Sequence, residues 1–80
     1  MKAIIKNANI RGCEAKKNKK DEDYLIVRFE DETGKPCELV DKDMERQQYY
    51  KRDTSGDMFI DISIGKWTTI RIIDFKIQEG

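Results

Sequence analysis

Histidine is missing from this chain of 80 residues. Its absence removes the side chain that most often shuttles protons near neutral pH and most often ligates transition metals. A serine nucleophile elbow and a glycine-rich phosphate loop are missing too, so acid–base work would fall to carboxylates whose surroundings read as surface. No enzyme activity is expected, and no cofactor or small-molecule substrate. Cysteine is scarce: Cys13 and Cys37 stand 24 positions apart without the neighbours that complete a metal set. They read as reduced thiols of a cytoplasmic protein, with a single disulfide as the alternative. No apolar run approaches the roughly 20 residues that cross a bilayer, and Met1 to Ala8 is too short and polar for a secretion signal. A cytoplasmic protein without membrane contact is the expectation.

Excess charge of either sign is also lacking, with 16 Lys and Arg against 16 Asp and Glu. A strongly basic nucleic-acid coat is therefore excluded, yet the charge is unevenly spread. Met1 to Lys20 carries seven bases and one acid, Asp21 to Glu45 ten acids and three bases, and Arg46 to Gly80 six bases and five acids. A neutral molecule polarised in this way can still present a positive face to a phosphate backbone. The competing reading is a solvated surface of interspersed signs.

With 38% hydrophobic residues and 40% charged, the chain has material for one thin core, and residues 1–80 are expected to form a single domain. Its firmest element is the hairpin from Gly56 to Gln78. Met58, Ile60, Ile62 and Ile64 alternate with Phe59, Asp61 and Ser63, the two-residue period of a strand with one buried face. Gly65-Lys66 breaks the pattern, Trp67 sits at the turn, and a second strand runs from Thr68 to Ile77. There the apolar phase changes between Ile72 and Ile73, so either both faces are covered or a bulge re-aims the strand.

Earlier in the chain, Lys2 to Glu14 reads as a long first strand with Ile4, Ala8 and Ile10 on one face and a bend at Gly12. Ala15 to Asp23, with its run of lysines followed by acids, reads as a mobile loop. Tyr24 to Glu30 alternates, Leu25, Val27 and Phe29 facing one way and Tyr24, Ile26 and Arg28 the other. Glu30 to Pro36 is a turn with Gly34 available for positive φ, and Cys37 to Val40 returns antiparallel. Asp41 to Arg52 is either a short helix capped by Asp41 or an extended connection, and Asp53 to Gly56 is a turn.

Long strand, hairpin, short helix or loop, hairpin is the element order of an OB-fold. The expected class is thus all-β and mostly antiparallel: a five-stranded OB-fold-like Greek-key barrel with a short helix between strands 3 and 4. A small ubiquitin-like α+β sheet is the competing architecture and would require a more apolar helix. The pattern Lys2-Ala3-Ile4-Ile5-Lys6, the strand–turn–strand across Gly34-Lys35-Pro36, and Gly56-Asp57-Met58-Phe59-Ile60-Asp61-Ile62-Ser63 leading into Ile70-Arg71-Ile72-Ile73-Asp74-Phe75 resembles the small helix-destabilising, single-stranded-DNA-binding proteins of filamentous phages and mobile elements. That resemblance implies a dimeric OB-fold, coating single strands by aromatic stacking and basic side chains during replication or transfer of such an element.

Binding of that kind requires flat rings for bases and cations for phosphates. The candidates are Tyr24 with Arg28 on one strand face, the cluster Tyr49, Tyr50, Lys51 and Arg52, the loop lysines Lys16 and Lys17, and Lys66, Trp67 and Arg71 of the last hairpin. Trp67 could instead pack on the turn, and Tyr49-Tyr50 could cover the barrel bottom. Single-stranded DNA, or RNA in its place, is the expected partner, together with a second copy of the chain. A protein-interaction module or small regulatory protein without nucleic-acid binding is the alternative.

Overall fold

The computed structural model describes residues 1–78. Five strands, β1 (Lys2–Lys17), β2 (Asp23–Glu30), β3 (Pro36–Asp41), β4 (Ser55–Ser63) and β5 (Thr69–Ile77), close into a barrel in the order β1-β2-β3-β5-β4. A 3-10 helix, Met44–Tyr49, links β3 to β4. All pairings are antiparallel except β3 with β5, which is parallel and consists of only two pairs, Val40–Arg71 and Asp41–Ile72. This is the all-β, OB-fold-like barrel that the element order implies.

Bulges set which residues face inward. On β1, Ile5 pairs with Met58 but Ala8 with Gly56, so one extra residue is accommodated around Asn7, whose φ is 54°. The bulge resets the alternation: Ala3 and Ile5 pack on the core with Ala8 and Ile10, and Ile4, expected on the Ala8 face, is 51% exposed. A second register shift lies between Ile10 and Gly12, at the expected bend. It turns Cys13 inward, whereas simple alternation put it with Arg11. On β5, Ile73 is the extra residue between the Phe59–Asp74 and Ile60–Ile72 pairs, so Ile72 and Phe75 both reach the core. The core consists of Ala8, Ile10, Leu25, Val27, Phe29, Tyr50, Met58, Ile60, Ile72 and Phe75. Gly56 is required by close approach, since a Cβ there would lie 2.3 Å from the Lys76 carbonyl oxygen.

Two loops differ from their sequence reading. β1 continues through Lys17, so the stretch read as a mobile loop from Ala15 shrinks to Asn18–Glu22. Asn18 organises it, its Oδ1 accepting from the Lys20 and Glu22 amides at 2.9 and 3.0 Å. The helix after β3 is a 3-10 turn capped by Asp43, whose side chain accepts from the Glu45 amide, not by Asp41. Asp41 is instead the last residue of β3 and is fully buried.

That buried carboxylate is satisfied on every side. Arg46 donates to it twice, at 2.6 and 2.9 Å, the Tyr50 hydroxyl donates at 2.5 Å, and the Asp43 amide at 2.9 Å. Such a fully paired charge is tolerated where an unpaired one is not. The Asp41 hydrogen bond holds the Arg46 guanidinium firmly protonated, while burial and then the bond to Asp41 push the Tyr50 hydroxyl far above its ordinary range. The network locks the 3-10 helix over the barrel beside the short β3–β5 seam. The Tyr50 ring stacks at a tilt on Phe75, with centroids 5.3 Å apart.

Cys13 and Cys37 are free thiols. Cys13 pairs with Val27 across β1–β2 and Cys37 with Phe29 across β2–β3, so all of β2 lies between them. Two strand spacings amount to roughly 9–10 Å, beyond disulfide reach. Burial, and secondarily the charge of Asp41, raises the Cys13 thiol pKa.

Candidate nucleic-acid interface

Directly paired residues on neighbouring strands share a face, so the register maps the outer surface of the barrel. Three rows cross it. The middle row runs Glu14–Ile26–Val40–Arg71–Asp61–Lys2 from β1 through β2, β3, β5 and β4 back to β1. Two residues along β2 on one side, Lys16 stands opposite Tyr24; on the other side, Gly12, Arg28 and Glu38 stand in line. Tyr24 is half-buried and Arg28 exposed, with Leu25, Val27 and Phe29 buried behind them, as the alternation of β2 implies.

Tyr24 and Arg28 therefore do share a face, but they differ in what they can offer. The Arg28 guanidinium is engaged by Glu38 at 3.1 Å and Glu14 at 3.4 Å. One cation held between two carboxylates leaves that end of the face negative. A groove of about 370 Å³ beside it is lined by Phe29 and Cys37 together with Arg11, Arg28, Glu30 and Glu38, a balanced set of charges. Arg11 is likewise bound, to Glu30 at 2.8 Å and Asp53 at 3.1 Å. At the Tyr24 end, by contrast, Lys16 is exposed and forms no ion pair among the described residues. Its neighbour Lys17 is held by Asp21 at 3.5 Å and Asp23 at 3.7 Å.

The Tyr49–Arg52 cluster is split by the fold. Tyr50 is 4% exposed and belongs to the core, so its ring has no face free for a base, a correction to its reading as a stacking residue. Tyr49 remains 42% exposed, and Lys51 and Arg52 are exposed. They precede a segment bonded to β1 at Ile10, where the Ile10 amide donates to the Thr54 carbonyl and the Asp53 amide to the Ile10 carbonyl, both at 2.8 Å. Ile10 lies six positions before Lys16 on the same strand, which at about 3.3 Å per residue separates this cluster from the Lys16–Tyr24 row by roughly 20 Å.

The β4–β5 hairpin tip is a different surface. Trp67 is 78% exposed and Ile64 70%, with Lys66 exposed between them. Trp67 thus does not pack on the turn. Phe59, further along β4, faces Ile4 on β1 and Asp74 on β5, with the Lys76 ammonium 5.3 Å above its ring. Arg71 points outward beside Val40, its guanidinium 3.7 Å from Asp61. Comparison with protein-family models, with curated proteins and with solved structures finds no match.

Register adds residues that were not singled out from the sequence: Ile26 and Val40 form an apolar strip between the Tyr24 row and Arg71. Ile26 was legible on the Tyr24 face, whereas the neighbourhood of Val40 and Arg71 depends on the parallel seam. Among the described residues there is no group of three or more His, Cys, Asp or Glu side chains placed to hold a metal ion, and no helix long and apolar enough to cross a membrane.

Proposed function

We propose that this protein binds single-stranded DNA with little sequence preference and without catalysis, as an accessory to replication or transfer of a phage or mobile element. The observation that carries the reading is the outer barrel face on which Lys16 stands beside Tyr24 and an apolar strip continues toward Arg71, flanked by a hairpin that holds Trp67 at 78% exposure. Rings with open faces accept any base, and lysines track a uniformly charged backbone, so such a surface favours strands over sequences. The β2–β3 face is also where barrels of this kind bind oligonucleotides. The replication or transfer role is supported by the sequence pattern alone.

The test is a titration with oligo-dT followed by Trp67 fluorescence, since this is the chain's one tryptophan. Binding should quench the emission and weaken as salt rises, because neutralised phosphates release counterions. Tyr24→Ala should cost about 1–3 kcal/mol of affinity if one base stacks there. Absence of binding at low salt would overturn the reading. A second reading, pairing of two copies or docking of a partner protein at the hairpin, is favoured by the clustered exposure of Ile64, Trp67 and Ile70. Sedimentation with and without the strand separates a dimer from a monomer.

A further inference from the structure

A second groove, of about 340 Å³, opens where the β3–β5 seam stops. Its walls are Val40, Lys42, Ser63, Thr69, Ile70 and Arg71. The two grooves are of similar size and differ in charge. The one beside Arg28 has two arginines and two glutamates on its walls, with both arginines already bound. This one carries two cations and no acid. Lys42 is exposed and forms no ion pair among the described residues. Arg71 is 49% exposed in its side chain and held only at 3.7 Å by Asp61, long enough for a phosphate to compete.

The remaining walls suit a base. Val40 and Ile70 offer branched apolar surface, and Ile70 is 38% exposed although it lies within β5. Ser63 and Thr69, opposite each other at the hairpin mouth, add hydroxyls that can donate or accept. Position completes the case. Val40 pairs with Ile26, which stands two residues from Tyr24 on the same face, so a strand stacked on Tyr24 passes over Ile26 into the groove. A volume of a few hundred Å³ with apolar walls and a few convergent polar groups is also the ordinary form of a small-ligand site.

We propose that this groove holds one nucleotide of the bound single strand, its base between Val40 and Ile70 and its flanking phosphates on Lys42 and Arg71. The proposal rests on the single-strand reading above and adds Lys42 and Ile70 to it. It also separates two kinds of contact: Lys42 reads charge, and Ile70 reads the presence of a base.

The test is an anisotropy titration of labelled oligo-dT across a salt series, repeated with an abasic strand of the same length, using the intact chain and the variants Lys42→Ala, Ile70→Ala and Tyr24→Ala. Lys42→Ala should weaken both strands by roughly three- to tenfold and make the salt dependence shallower by about one phosphate. Ile70→Ala should weaken oligo-dT by roughly fivefold and leave the abasic strand unchanged. Should Ile70→Ala melt early, Ile70→Thr keeps the β-branched shape of the strand residue and serves the same comparison. If both groove variants bind like the unaltered chain while Tyr24→Ala is weakened, the groove inference fails and single-strand binding stands. If Ile70→Ala weakens both strands equally, the base contact is refuted. No binding by the unaltered chain overturns both.

Discussion

Replacing Arg46 with Met tests how much the buried Asp41 network, which ties the 3-10 helix to the end of β3, contributes to stability. Arg46 supplies both guanidinium donors of a two-pronged bond to Asp41, at 2.6 and 2.9 Å, and its side chain is 18% exposed against 0% for Asp41. Met keeps much of the apolar stem but leaves the carboxylate with only the Tyr50 hydroxyl and the Asp43 amide. Removing one partner of a buried ion pair costs about 3–5 kcal/mol, and the partial exposure of Arg46 places this case at about 3 kcal/mol. A domain of this length has a total stability of roughly 4–12 kcal/mol. The variant should therefore lose a large share of it, with Tm falling by roughly 12–24 °C. Thermal melts and urea unfolding followed by circular dichroism measure the loss. Arg28→Met is the control, because its pairs with Glu14 and Glu38 lie on the surface and should be worth less than about 1 kcal/mol. Equal, small losses in the two variants would refute the argument that burial, not pairing, makes the Asp41 network matter.

Three further outcomes follow from the same geometry. Because burial and Asp41 raise the Tyr50 pKa, its neutral form is favoured in the fold, so the associated stability is complete below about pH 10, the ordinary tyrosine value, and is lost as pH climbs above it. In an alkaline titration of tyrosinate absorbance, Tyr50 should ionise only together with unfolding; its ionisation in the still-folded chain would contradict the buried placement. Gly56→Ala should destabilise by about 1–3 kcal/mol in urea, since the added Cβ meets a backbone oxygen at 2.3 Å, and a neutral result would mean that β5 can shift there. Under mild oxidation the folded monomer should form no internal disulfide between Cys13 and Cys37, and thiol titration after unfolding should count two; a crosslinked monomer on a non-reducing gel would disprove the strand order.

The extent to which the sequence was readable varied with the range of the interactions. The alternation of β2 placed Tyr24, Ile26 and Arg28 opposite Leu25, Val27 and Phe29 because a strand's side chains alternate whatever its neighbours do. The phase change at Ile72-Ile73 announced its own bulge, since two adjacent isoleucines cannot both follow one alternation. Around Asn7 no comparable clue exists: the bulge there depends on how β1 meets β4, and it moved Ile4 outward and Ile5 inward. Asp41 read as a helix cap because Asp caps helices; its burial arises from Arg46 and Tyr50 folding back on it.

By itself the sequence determined the succession of strands along the chain, the hairpins and the all-β class, because periodicity, turn residues and β-branched composition act over a few neighbouring residues. Tertiary structure alone decided the parallel seam that brings Val40 to Arg71, the burial of Tyr50, the neutralisation of Arg28 by Glu14 and Glu38, and the cationic groove around Lys42. Each of these depends on residues far apart in the chain, and closing the barrel is what makes them neighbours.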